Sequence, residues 1–421
     1  MQFEAKETPV TADRSQWGWD KIRGEFPVLK QTIGEHRLSY LDNAASSQMP
    51  QPVIDRWVWY QSAEHSNVHR GVHRLSQRAT EAHDKAREKV RDFLNAPRVE
   101  ECIFTRGTTE AINLVASSFG ETYVEEGDVI ILSAMEHHSN IVPWQQLCER
   151  RGAEIRVIPM TDKGELELDA LEEMLDDRVK LIGVNHVSNA LGTVNPIEDI
   201  VALAEPQGVA VLVDGAQAVP HMKVDVQQLG CDFYAFSGHK MCGPTGIGAL
   251  WGKKRWLEEM TPYQGGGDMI LSVSWEGTKY NELPFKFEAG TPAIADAITL
   301  GAAIDYLQSI GMERIDARER ELLAMLTRRV GELEGIRVVG EADHKASVFS
   351  FEIEGVHPHD IGTILDSEGV AIRAGHHCAQ PVMERFGIPA TARASLAFYN
   401  DDTDISRLIA GLHTVKEIFG A

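Results

Sequence analysis

Between about residues 102 and 252, short runs of branched apolar residues alternate with segments whose apolar positions recur at helical spacing. "VIILSAM" (129–135), "EIRVIP" (154–159), "KLIGVNHVS" (180–188), "VAVLVDGAQA" (209–218) and "FYAFSGH" (233–239) have the length and near-continuous apolarity of strands buried on both faces. The polar–apolar segments 138–151, 167–177 and 197–207 lie between them and predict helices. This is the rhythm of an α/β unit built on a largely parallel sheet. The pattern changes after "GTPAIADAITLGAAIDYLQSIG" (290–311), which predicts a long helix with small residues at its start. A charged helix follows (313–335), and then three more separated strands, "ASVFSFEIE", "VAIRAG" and "RASLAFYN". We therefore expect a large domain over 35–300 and a smaller α+β domain made of 1–34 and 301–421.

Composition adds limits. A chain of 421 residues, 43% hydrophobic, exceeds what one core usually holds. No apolar run approaches the roughly 20 residues of a membrane span. The first twenty residues lack a basic segment followed by an apolar one, so a secretory signal is not expected and the cytoplasm is the default. Sixty-three acidic against 41 basic residues give a formal charge of −22, which repels nucleic acid and anionic membranes on average. The five cysteines are odd in number and none forms a C-x-x-C pair, so neither a disulfide framework nor a structural metal is expected.

Several stretches carry candidate chemistry. In "SGHKMCGPTGIG" Lys240 precedes a glycine-rich turn after a predicted strand. A lone lysine is most often a surface charge, but one held in such a turn suits a Schiff base with a carbonyl cofactor. Asp214 ends the "VLVD" strand one βα unit earlier, with Gln217 three residues on. Asp214 could cap a following helix; beside Lys240 it also suits the partner of a pyridinium nitrogen. Gly107-Thr108-Thr109 opens a predicted amphipathic helix, and its free backbone N–H groups suit a phosphate as well as an ordinary cap. His137 follows a strand, where a ring could stack on a cofactor. "RAGHHCAQP" sets Cys378 beside His376 and His377, five residues after Arg373; nucleophile, metal ligand and packed thiol all accept those residue types.

Taken together these segments resemble the class V aminotransferase group of fold-type I pyridoxal-phosphate enzymes, most closely its SUF-type (group II) cysteine desulfurase / selenocysteine lyase branch. "YLDNAASSQMP" (40–50), "VHRGVHRLSQRAT" (68–80), "TRGTTEAINLVA", "MEHHSNIVPWQ", "DGAQAVPH", "SGHKMCGPTGIG", "EAGTP" and "RAGHHCAQP…RASLAFYN" occur in the family's order over nearly the whole chain. The resemblance implies a seven-stranded, mainly parallel sheet sandwiched by helices, plus the smaller α+β domain. It implies pyridoxal 5'-phosphate attached to Lys240, with Asp214 on the ring nitrogen and His137 stacked on the ring. Gln217 and Asn189 approach the phenolic oxygen or the substrate carboxylate; Thr108, Thr109, Ser237 and His239 bind the phosphate. Thr291 and His69 reach across a homodimer interface to the partner's phosphate site. Arg393 clamps the substrate carboxylate, a task that suits its bidentate fork, and Arg373 orients the substrate or biases the nearby thiol.

The activity so implied converts L-cysteine to L-alanine and leaves a persulfide on Cys378. The sulfur then goes to a SufE-like or SufU-like acceptor and SUF scaffold proteins for iron–sulfur cluster assembly, with L-selenocysteine a further substrate. Cys242, two residues after Lys240, reads as a packed small residue. The rivals are another class V enzyme (an aminotransferase or kynureninase-like lyase) and a non-catalytic sulfur carrier. A yellow protein that forms alanine from cysteine would discriminate against both.

Overall fold

The computed structural model describes residues 10–420; the first nine residues of the expected 1–34 segment, and residue 421, lie outside the described residues. Seven strands form the central sheet: β1 (Cys102–Thr105), β2 (Val129–Ser133), β3 (Glu154–Ile158), β4 (Val179–Asn185), β5 (Ala210–Asp214), β6 (Phe233–Ser237) and β7 (Gly248–Gly252). Their spatial order is β1-β7-β6-β5-β4-β2-β3. All neighbours are parallel except β7, which runs antiparallel to both β1 and β6. The strands are covered on both faces. In β2, Val129 and Ile131 join one apolar cluster while Ile130 and Leu132 join another, as a side-chain period of two requires.

The predicted strands end earlier than the apolar runs suggest. β4 and β5 stop at Asn185 and Asp214, so Asn189 and Gln217 fall on loops at the carboxyl ends of the strands. Helices α1 (Arg74–Phe93), α2 (Thr108–Tyr123), α3 (Val142–Arg151) and α4 (Ile294–Ile310) include those that flank the sheet. In α4 apolar residues point almost all round, and Gly301 lets α1 approach closely: a Cβ there would sit 3.2 Å from Ala86.

A second sheet contains β8 (Ile336–Val339), β9 (Val348–Ile353), β10 (Arg373–Gly375) and β11 (Thr391–Ser395), in the order β8-β9-β11-β10. Helices α5 (Met312–Gly331) and α6 (Asp402–Phe419) supply Leu322, Leu326, Leu408 and Leu412 to its core. Two expectations need correction here. "VAIRAG" is not one strand: Val370–Ala371 pairs in parallel with Ser39–Tyr40, whereas β10 pairs with β11. "RASLAFYN" is a strand only to Ser395, because the side chain of Asn400 accepts the Ala397 N–H at 2.8 Å and closes a turn. Of the amino-terminal residues described, Ile22, Phe26 and Leu29 pack into the largest core cluster, and Arg23 pairs with Asp404 of α6 at 2.8 Å.

Candidate active site

The carboxyl ends of the parallel strands converge on one cleft, the place where open α/β sheets bind ligands. Asp214 is the last residue of β5 and Ser237 the last of β6; Lys240 closes a short 3-10 turn directly after. Lys240, Asp214, Arg393, Arg373 and Cys378 lie near enough for the lysine to feel the charge of each. Burial pushes the Lys240 amine down to about 8, with Asp214 opposing and Arg393 assisting. Burial pushes Asp214 the other way, against the pull of Lys240. Asp214 accepts the Ala216 N–H at 2.9 Å, and the residues that follow form turns, so it caps no helix.

His137 sits at the head of the next loop, with Nδ1 2.8 Å from the Ser139 hydroxyl. Burial, then the charge of Lys240, lowers it to about 3, which leaves a neutral ring. The loop is anchored from behind by Glu136, fully buried, which accepts from Asn140 Nδ2 (2.7 Å) and the Asn185 N–H (2.8 Å) and bonds the Ser133 hydroxyl. Burial raises its carboxyl to about 8.

Helix α2 begins at Thr108 behind Gly107, whose φ of +147° is open to glycine alone; a Cβ there would lie 3.0 Å from Ser237 Oγ. Ser237 Oγ accepts the Thr108 N–H and bonds the Thr108 hydroxyl, both at 2.8 Å. Thr109 is exposed on the first turn. His239 is partly buried, its ring 3.4 Å from Ser46 Oγ, and burial lowers it to about 4.

Arg393, from β11, is 2% exposed. It donates to the Asn189 carbonyl (2.9 Å) and to Asp42 (3.1 Å), while its Nε has no partner. Arg373 is exposed on β10 directly opposite it. Asn189 and Gln217 are also only half satisfied. Asn189 donates to the His377 carbonyl at 2.5 Å and Gln217 to the Ala44 carbonyl at 2.6 Å, but Oδ1 of the first and Oε1 of the second are buried without partners. A buried polar atom left unpaired costs ~1–3 kcal/mol, so three of them in one cleft mark a place shaped for a polar ligand. A lysine amine, a carboxylate, a neutral imidazole, a glycine-opened helix start and these unpaired atoms form a donor set that fits pyridoxal phosphate.

The thiol stands on a strained turn. His377 and Cys378 have φ of +53° and +55°, and left-handed residues other than glycine cost ~1–2 kcal/mol each. His377 is buried, with Nε2 2.8 Å from Thr391 Oγ1, and Cys378 is half-buried. Cys242 is 2% exposed, and burial drives its thiol far above the usual range; Cys102 is pushed up to about 12 by the same cause.

No hydrogen bond among the described residues links His69 or Thr291 to this cleft. Both are exposed, on segments that meet each other: His69 packs edge-on to Phe285 (5.3 Å), Arg70 pairs with Asp268 (2.9 Å), and Gly290 bonds Gly267 (2.9 Å). His69, His83 and Asp84 also bring three possible metal-ligand atoms within 4.8 Å of one another. Reading the sequence missed Asp42, Ala44, Glu136 and His138. The first two lie inside "YLDNAASSQMP", whose place in the family's order was visible, but the pairing of Asp42 with a residue 351 positions away was not.

Residues 39–408 match the family described as "Aminotransferase class-V". A protein of Halalkalibacterium halodurans named "Probable cysteine desulfurase" is 51% identical over 400 residues, 95% of this chain and 98% of that one. The solved structure of the cysteine desulfurase CsdA of Escherichia coli, in an S-sulfonic acid form, superposes with a TM-score of 0.89 at 37% identity, covering 96% of this chain and 99% of that one. A third protein, solved with glycine covalently linked to its pyridoxal-phosphate cofactor, matches at 23% identity with a TM-score of 0.79 over 93% of this chain and 98% of that one. That last likeness shows the fold alone.

Proposed function

The chain belongs to the class-V aminotransferase family, and from that premise we propose that it is a pyridoxal-phosphate-dependent cysteine desulfurase in which Cys378 accepts the substrate sulfur. The observation that carries the reading is the thiol turn: a half-buried cysteine, held in an unfavourable backbone conformation, within reach of the charges of Lys240 and Arg393. Transamination and lyase chemistry need no such thiol.

Lys240 would hold the cofactor through its amine, Asp214 would keep the ring nitrogen protonated, and the His137 imidazole would support the ring. Thr108, Thr109, Ser237 and His239 would bind its phosphate, and Gln217 and Asn189 would offer their unpaired oxygens to it or to the substrate. When bound, the cofactor withdraws electrons from the substrate Cα, which makes the Cα proton acidic. Arg393 and Arg373 orient the substrate carboxylate. Lys240 Nζ, whose pKa burial lowers toward neutrality, removes the Cα proton. Cys378 Sγ, as thiolate, attacks the substrate Sγ. An S–S bond forms, the substrate Cβ–Sγ bond breaks, and its electron pair stays with the three-carbon skeleton, which takes up protons to leave as L-alanine. Thiol plus cysteine thus becomes persulfide plus alanine, with no external oxidant or reductant.

Four further readings belong to the same proposal. The chain divides into a large unit (35–300) and a small one (1–34 and 301–421). It works as a homodimer in which His69 and Thr291 complete the partner's phosphate site, an arrangement supported by the meeting of their two segments on the surface. It acts in the cytoplasm, passing sulfur to a SufE-like or SufU-like acceptor and SUF scaffold proteins. Selenocysteine is a second substrate. No helix among the described residues is long and apolar enough to cross a membrane.

Cys378→Ala tests the central claim. The variant should bind cofactor, stay yellow and exchange the Cα proton of cysteine with solvent, yet form alanine at least about a thousandfold more slowly and carry no persulfide by mass spectrometry. Cys242→Ala should make alanine at the wild-type rate. Near-normal alanine from the Cys378 variant would remove the assignment.

A further inference from the structure

His138 touches the thiol turn at three points. Its backbone N–H donates to the Cys378 carbonyl at 2.7 Å. Its ring Nε2 accepts the Gln380 N–H at 3.2 Å, on the far side of the cysteine. Its ring faces that of His376 at 5.5 Å and 36°, and His376 Nδ1 in turn lies 3.3 Å from the Cys378 N–H. One residue therefore fixes the turn before, at and after the thiol. It is also the chain neighbour of His137, whose ring lies near enough to Lys240 to feel its charge. The position of a thiol carried by the small sheet is thus set from the loop that follows strand β2 of the large one.

We propose that His138 is the positioning residue of the Cys378 turn, holding the thiol in register with the Lys240 cleft for attack on the substrate sulfur. This rests on the reading of Cys378 as sulfur acceptor. The turn needs a holder because two consecutive residues occupy the left-handed region, and neither is glycine or asparagine. The other backbone anchor, Asn189 Nδ2 to the His377 carbonyl, acts one residue before the thiol and leaves the stretch after it to His138. Removal of the ring frees the Gln380 N–H to water and leaves His376 without the neighbour that orients it. The turn then relaxes while the cofactor pocket stays built.

The test uses the holoenzyme with His138→Ala and His138→Gln, glutamine being able to set an acceptor oxygen close to the place of Nε2. Three rates are measured: alanine formation from L-cysteine with dithiothreitol as persulfide acceptor, deuterium exchange at the substrate Cα, and alkylation of Cys378 by iodoacetamide. His138→Ala should form alanine roughly tenfold to a hundredfold more slowly, the scale expected for a misplaced reacting group. Its Cα exchange should stay within about twofold of wild type, and His138→Gln should regain most of the lost rate. Wild-type alanine formation in His138→Ala, loss of exchange in step with alanine, or no recovery in the glutamine variant would each overturn the proposal. If the wild-type protein forms no alanine, the reading of Cys378 falls instead. The alkylation rates then judge the turn alone: faster in His138→Ala than in wild type and His138→Gln supports the clamp, and equal rates in all three end it.

Discussion

Lys240 shows how a single side chain is tuned by where it stands. An exposed lysine titrates near 10.4 and is almost wholly charged at neutral pH. Here burial lowers the amine to about 8, and Asp214 keeps it from falling further. Cofactor attachment to the apoprotein requires the neutral amine, so its rate should rise with pH through a midpoint near 8 and level off above it. Asp214→Asn, which removes the charge that raises the lysine, should move that midpoint to lower pH. Stopped-flow absorbance of apoprotein mixed with pyridoxal phosphate would read both, and a midpoint near 10 would contradict the environment described. Lys240→Ala should abolish covalent attachment and turnover. None of this tuning was legible locally. "SGHKMCGPTG" marks the lysine by its glycine-rich turn, but the depth of the cleft comes from strands and loops far away in the chain.

At the scale of elements, the start of α2 carries the clearest constraint. "GTTE" reads as a helix start and also as a phosphate cradle, and the geometry accommodates both. What the motif alone hid is that Gly107 is constrained for two reasons, its φ of +147° and the Ser237 hydroxyl only 3.0 Å from where a Cβ would go. Gly107→Ala should cost ~1–2 kcal/mol of stability. It should also displace Ser237 from Thr108 and weaken cofactor affinity about tenfold or more, since one good hydrogen bond to a charged group is worth ~1.5–3 kcal/mol. Titration of the apoprotein with pyridoxal phosphate, beside thermal unfolding, checks both; unchanged affinity would show that the phosphate sits elsewhere. The apolar runs located five of the seven central strands in order, missed β1, β7 and, in the second sheet, β8, and overran at their ends. Apolar composition continues past Ser133, Asn185 and Asp214, while the ladder stops where the chain must turn into the cleft.

For the whole molecule, the exposed positions of His69 and Thr291 matter most. The two belong to segments far apart in the chain that meet through His69–Phe285 and Arg70–Asp268 on one surface region, with no hydrogen bond among the described residues to the cleft of their own chain. If they complete the partner's site, sedimentation should give a dimer. Thr291→Ala combined with His69→Ala should then weaken cofactor binding while leaving the Lys240 cleft of the same chain intact. A monomer that binds cofactor tightly and turns over would refute the shared site.

The sequence by itself determined the α/β rhythm, five of the seven central strands, the positions of Lys240, Asp214 and Cys378 in recognisable motifs, and the family. Those features depend on local periodicity and on short stretches of fixed chemistry, both of which survive in one dimension. Only the tertiary structure decided that Asp42 neutralises Arg393, that Asn189 reaches the His377 carbonyl, that Glu136 braces the loop of His137, and that His138 grips the thiol turn. Each of these is a contact between segments tens to hundreds of residues apart, with no periodic trace in either. Their energies depend on burial and on distances of about 3 Å, which exist only once the two sheets have brought their loops together.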